Sequence, residues 1–202
     1  MPDRRRRGKR VSQKVRALLA AGVVLGLGGA STLAAWTDYE NASATFTAGT
    51  FGIVGSIGGT TFSEHSSEEP AQLAFAPEAN GLAPGSVTYA AFSVRTIAGS
   101  AAGVVNLAAD AGNGSALGAY LTYGVSITSG GCDQNAFNAG NEIVGRGSVL
   151  TAAPAASEAM AVDANGGSTI TYCFEVTMPM TASNEAQGLT IVPRWTVNAE
   201  NT

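Results

Sequence analysis

One histidine, two cysteines and a scatter of Asp and Asn in glycine-rich stretches are the residues of this 202-residue chain that could do chemistry. His65 lies in Glu64-His65-Ser66-Ser67-Glu68-Glu69. With Glu64 and Glu68 or Glu69 it offers up to three ligands for a divalent cation. A zinc hydrolase needs two or three strong ligands plus a base, and no HExxH is present, so a solvated acidic loop is expected and no metal. A serine or threonine nucleophile would have only His65 as its base, and no G-x-S-x-G elbow occurs. Asp110, Asn113, Asp133, Asn135 and Asn138 could bind calcium weakly. Their spacing lacks the regularity of a calcium loop, and ordinary turn chemistry accounts for them. The expectation is a protein that is not an enzyme and uses no cofactor.

Cys132 and Cys173 are the whole cysteine complement. With no CxxC pair and no histidine cluster, a single disulfide is the economical reading, provided the chain reaches an oxidising space.

Charge placement says that it does. Of eleven basic residues, eight (Arg4 to Arg7, Lys9, Arg10, Lys14 and Arg16) precede an uncharged run from Ala17 to Thr37. A basic n-region, an apolar h-region and small residues at Leu33-Ala34-Ala35 have the layout of a signal peptide, with cleavage expected between Ala35 and Trp36. The competing reading of the run is a permanent anchor, because about twenty apolar residues can span a bilayer as a helix. Dilution by Gly22, Gly26, Gly28 and Gly29 argues against it. Arg4 to Arg7 also admit a twin-arginine route, although the apolar and lysine positions expected after the arginine pair are absent. Residues 36–202 then carry three cations (Arg95, Arg146, Arg194) against fourteen carboxylates, a formal net charge of −11. Such a product repels nucleic acid and anionic membranes, so membrane association is expected only through the uncleaved signal.

The elements that would position these residues are short strands. Composition favours Gly, Ala, Ser, Thr, Asn and Val over long-helix formers. Leu121, Tyr123, Val125 and Ile127 alternate with polar or small residues, and so do Ile170, Tyr172, Phe174, Val176 and Met178. In the second run Cys173 falls on the polar face, which places the disulfide outside the main core as a staple for the 129–141 loop. Leu189, Ile191, Trp195 and Val197 form a third run, where Pro193 argues for a bulge or an edge position. Further strand candidates are 44–54, 60–62, 72–75, 87–95 and 104–109. Residues 151–161 and 179–187 have room for a helical turn each. Turn signals such as Asn80-Gly81, Pro84-Gly85 and Asn165-Gly166-Gly167 separate the strands, and this spacing predicts an antiparallel all-β sandwich as one domain, 36–202, behind a signal-peptide helix, 1–35.

Ala34-Ala35-Trp36-Thr37-Asp38, followed by Phe46-Thr47-Ala48-Gly49-Thr50, resembles the start of the TasA/camelysin family. Its precursors carry A-A-F-x-D at the cut and x-F-x-A-G-T-L-x-L beyond it. Trp36 stands for the aromatic residue; Asp38, Phe46, Ala48, Gly49 and Thr50 match, and Gly52 departs from the usual polar residue. Leu82-Ala83-Pro84-Gly85 followed by Ala98-Gly99-Ser100, and Gln187-Gly188-Leu189-Thr190 ahead of Trp195, are similar to two further family stretches. Residues 101–180 are unmatched, and the cysteine pair and small-residue loops look more like an actinobacterial branch of such exported proteins. The resemblance implies a jelly-roll β-sandwich, cleavage by a SipW-type signal peptidase as partner in export, secretion, and in some members assembly into extracellular matrix fibres. A freed N-terminal strand can add to the open sheet edge of a neighbour. Here the donor would be 36–44, with Trp36 and Tyr39 as anchors; a frayed terminus is the plainer reading of 36–40. The expected function is a secreted structural subunit or accessory of a surface or biofilm matrix. The alternative is a monomeric secreted module that binds a glycan or a protein through its Asn- and Gly-rich loops.

Overall fold

Alternation becomes pairing in a computed structural model that describes residues 12–23, 38–77 and 79–202. The chain divides into two units, Met1–Phe46 and Thr47–Thr202. In the first, residues 12–23 are helical (α1), and residues 38–46 are exposed and without regular structure. Among the described residues no helix is long and apolar enough to cross a membrane. The cleavage point between Ala35 and Trp36 lies outside the described residues.

The second unit is mostly β. Its strands are β1 (Ile53–Ser56), β2 (Val87–Thr96), β3 (Gly103–Ala109), β4 (Thr122–Thr128), β5 (Asn141–Val149), β6 (Met160–Val162), β7 (Ile170–Thr177) and β8 (Trp195–Asn201). They form a five-stranded sheet, in the order β1-β2-β7-β4-β5, and a three-stranded sheet, β6-β3-β8. All strand pairs are antiparallel. Period two decides the faces. Val94, Tyr123, Val125, Tyr172, Phe174 and Val176 of the larger sheet share one core with Val105, Leu107 and Val162 of the smaller. Trp195 closes that core from β8, 4.8 Å from Phe174 and 5.8 Å from Tyr123 between ring centroids. The two sheets therefore pack face to face, as expected of an all-β sandwich.

Several expectations need adjusting. Of the candidate 44–54 only 53 and 54 lie in a strand, β1, which runs on to Ser56 and is preceded by one bridge, Thr50 to Ser100. Residues 60–62 and 72–75 are loops beside the isolated bridges Gly55–Ser63 and Ala76–Tyr89. The third alternating run pairs only from Trp195, after Pro193, and β8 holds the edge position that Pro193 suggested. The two helical turns shrink to 3-10 turns at Ala156–Glu158 and Asn184–Ala186, and β6 follows the first directly.

The outer face of the larger sheet is covered as well. A short helix, α2 (Gln134–Ala139), capped by Asp133 accepting from Ala136 N at 2.8 Å, lays Phe137 onto it. Phe137 is buried, with its ring 6.4 Å from that of Tyr89 and the Arg146 guanidinium 4.3 Å above it. Arg146 in turn donates to Glu175 at 2.8 Å, and the Tyr89 hydroxyl donates to the same carboxylate at 2.9 Å. A carboxylate this buried persists because both partners satisfy it.

Tyr123 and Tyr172, each about 1 % exposed, predict an alkaline weakness. Burial pushes the Tyr123 hydroxyl up to about 12 and raises that of Tyr172 as well. The folded state therefore keeps these protons at pH values where the unfolded chain, ionising near 10, has lost them. Stability is full below about pH 10 and falls by about 1.4 kcal/mol per pH unit per buried tyrosine as pH rises towards 12. In an alkaline titration followed at 295 nm, the tyrosinate signal of this pair should appear together with loss of near-ultraviolet circular dichroism. Ionisation of the pair near pH 10 with the fold intact would contradict this.

Candidate functional site

Cys132 and Cys173 form the expected disulfide, with Sγ–Sγ 2.06 Å and Cα–Cα 5.1 Å. Cys173 pairs with Ala91 and Ser126 on the outer face of the larger sheet, so the bridge lies away from the shared core, as its polar-face position predicted. Cys173 is nonetheless fully buried, because the 129–141 segment and α2 lie over it. The staple holds a covered layer, and a structural disulfide of this kind fits an oxidising compartment.

The candidate metal ligands do not converge. Among the described residues no group of three or more His, Cys, Asp and Glu could hold a metal ion. His65 is exposed, its Nε2 3.3 Å from Ser63 Oγ and its ring edge-on to Phe92. Asp110 accepts from Gly112 N at 2.7 Å, and Asp133 caps α2. Asn113 is buried: its amide donates to the Arg194 carbonyl at 2.8 Å and to that of Leu150 at 3.3 Å, while its oxygen accepts from Arg194 N at 2.8 Å. These are turn and loop-anchoring roles.

Tyr39 is 78 % exposed in the first unit, and Trp36 lies outside the described residues. What the sequence reading missed is a groove beside β8. Because Trp195 sits over Phe174, β8 lies across from β7. Among the described residues the smaller sheet ends at β8, and no further strand lies beyond it on the side of β2. An apolar groove of about 710 Å³ runs there, along the free edge of β8. Its floor is Phe92 and Val94 of β2 with Ile53 of β1, its near wall Trp195 and Val197, and its far wall the loop carrying Leu73 and Phe75. At one end Arg194 Nη1 donates to the Ser67 carbonyl at 3.1 Å, tying the acidic loop to the strand that bounds the groove. The groove thus joins a sheet edge to a lining of buried and partly buried apolar side chains. The signal in the sequence was Pro193, which argued for a bulge or an edge position just ahead of β8.

No protein-family model and no curated protein sequence matches this chain.

Proposed function

We propose that this protein is an exported, TasA/camelysin-like structural subunit or accessory of an extracellular matrix, released by a SipW-type peptidase and assembled by strand addition at the free edge of β8. One observation carries the reading: among the described residues the smaller sheet ends at β8, and a groove lined by the partly buried Phe92, Leu73, Phe75, Trp195 and Val197 lies beside it. A fourth strand at that edge would leave one sheet ordered β6-β3-β8-x against β2-β7-β4-β5, with β1 as an extension, and two four-stranded sheets so ordered are a jelly roll. The basic, apolar and small-residue succession of residues 4–35 supports secretion, and the disulfide agrees with it. Cleavage would release the N-terminal segment from the membrane and so start assembly.

The test is the oligomeric state of the 36–202 form beside a 47–202 form, whose core residues are all retained. By light scattering, the longer form should grow with concentration and the shorter should stay monomeric. A longer form that remains monomeric over the whole range refutes self-assembly.

A second reading, a monomeric module for a neutral glycan, has one observation in its favour. On the outer face a trough of about 490 Å³ is floored by the hydroxyls of Ser93, Thr128 and Thr171, between Gly58-Gly59 and Gly130-Gly131. Calorimetric binding of a neutral oligosaccharide by the monomer would favour this reading.

A further inference from the structure

Three asparagines of this chain are followed by glycine, at Asn80-Gly81, Asn113-Gly114 and Asn165-Gly166. In such a pair the backbone can attack its own side chain, because glycine has no Cβ to shield its nitrogen from the Cγ of the asparagine before it. The attack needs a backbone nitrogen free to lose its proton and a side chain free to turn towards it. Water is needed to complete the reaction. The three pairs differ in these conditions.

Two of them are locked. Asn113 is 2 % exposed, its amide nitrogen donates to the carbonyls of Arg194 and Leu150, and its oxygen accepts from Arg194 N. Its side chain is therefore tied to other loops and shut off from water. Asn165 is held at both reacting ends. Its Oδ1 accepts from Gly99 N at 2.8 Å, and Gly166 N, the nucleophile, donates to Thr96 Oγ1 at 2.7 Å. Thr96 is buried and donates in turn to the Asp163 carbonyl at 2.6 Å, which fixes its hydroxyl. Asn80 has no such restraint. Asn80 and Gly81 are both exposed, and among the described residues neither the Asn80 side chain nor Gly81 N has a hydrogen-bond partner. No atom beyond the chain neighbours lies within 4 Å of the place a Cβ would take on Gly81.

We propose that Asn80 is a site of self-modification, at which the protein loses a side-chain amide and gains an acid. Gly81 N gives up its proton and bonds to Asn80 Cγ, the Cγ–Nδ2 bond breaks, and Nδ2 leaves as ammonia with a proton from solvent. Water then opens the cyclic imide at either carbonyl. One opening gives aspartate, the other isoaspartate, with the main chain routed through the former side chain. The step consumes water alone, with no oxidant or cofactor. Its position gives it a consequence, whether or not strands add at β8. Asn80 and Leu82 line the groove, and Leu82 packs on the core. The turn is anchored before it by the bridge Ala76–Tyr89, and after it by Ala83 N donating to Ser86 Oγ at 3.0 Å and Gly85 N to the Met178 carbonyl at 2.7 Å. A copy that has reacted keeps these anchors and carries a new carboxylate at the mouth of the groove.

Residues 36–202 contain no lysine, and Arg95, Arg146 and Arg194 separate the three pairs. Reduction and tryptic digestion therefore place Asn80 in peptide 36–95, Asn113 in 96–146 and Asn165 in 147–194. The folded 36–202 form is held at mildly alkaline pH and sampled over weeks by mass spectrometry. Peptide 36–95 should acquire the mass change of an amide becoming an acid, as two chromatographic isomers, with fragmentation placing it at position 80. The other two peptides should change at least about tenfold more slowly, since reaction there waits on local opening. In reduced protein unfolded by urea the three rates should become similar. Asn80→Gln should remove the change from peptide 36–95 and, at an exposed position, leave the melting temperature unaltered. Folded protein in which Asn113 or Asn165 converts as fast as Asn80 overturns the inference. So does a peptide 36–95 that stays unchanged in the folded protein over the time in which the unfolded chain converts, or one that still changes in the Asn80→Gln variant.

Discussion

A synthetic peptide of residues 36–46 should arrest assembly of the 36–202 form and stabilise the 47–202 form against heat. The peptide presents the N-terminal segment without a body behind it, so it can fill one groove and offers no further edge. Growth stops because every capped copy has lost its acceptor. The stabilisation follows from mass action: a ligand that binds the folded body and not the unfolded chain adds about 2.7 kcal/mol at a hundred times its dissociation constant. In a body of this size each kcal/mol moves the melting temperature by about 2–4 °C, so a rise of roughly 5–10 °C is expected. A peptide with Trp36→Ala and Tyr39→Ala should need far higher concentration for both effects. Equal effects from a scrambled peptide would show that the groove reads composition and not the order of residues.

Removing the disulfide should cost the body about 4 kcal/mol. Cys132→Ala with Cys173→Ala opens a cross-link spanning 41 residues, and the chain-entropy relation gives that value for a loop of this length. The loss is concentrated on the outer layer, because the segment it ties down carries α2 and Phe137. Phe137 supports Arg146, which pairs with buried Glu175, so loosening the layer also weakens the partner that makes that carboxylate tolerable. Thermal melting should fall by roughly 8–16 °C. A fall corresponding to less than about 1 kcal/mol would mean that α2 and its contacts hold the layer unaided. Assembly well below the melting point should persist, since β8 belongs to the other sheet.

The strands legible in the sequence are the central ones. β7 and β4 are flanked on both sides and packed against the core, so period two had to be kept: Tyr172, Phe174 and Val176 inward, Cys173 and Glu175 outward. β5 was not legible. It is an edge strand with Gly145 and Gly147 and a register irregularity against β4, and few of its side chains meet the core. β6 is three residues long, below the length at which alternation can be recognised. α2 hides for a different reason, since six residues make fewer than two turns and only Phe137 marks its buried face.

The groove was beyond sequence reading because it is an absence in one sheet, defined by residues from β1, β2, β8 and the 66–82 loop that only the fold brings together. A strand signal was visible over 44–54. Its first part, 44–49, is exposed and unpaired. The cysteines could be paired from their number alone, whereas the burial of Cys173 beneath the 129–141 segment could not be anticipated.

Amide hydrogen exchange along β8, compared between the monomeric 47–202 body and assembled 36–202 protein, tests the central claim most directly. Amides of 195–201 that face away from β3 should exchange quickly in the monomer and become protected by at least about a hundredfold on assembly, with matching protection of the N-terminal segment. Assemblies in which β8 exchanges as fast as in the monomer and the N-terminal segment stays unprotected would contradict strand addition at this edge.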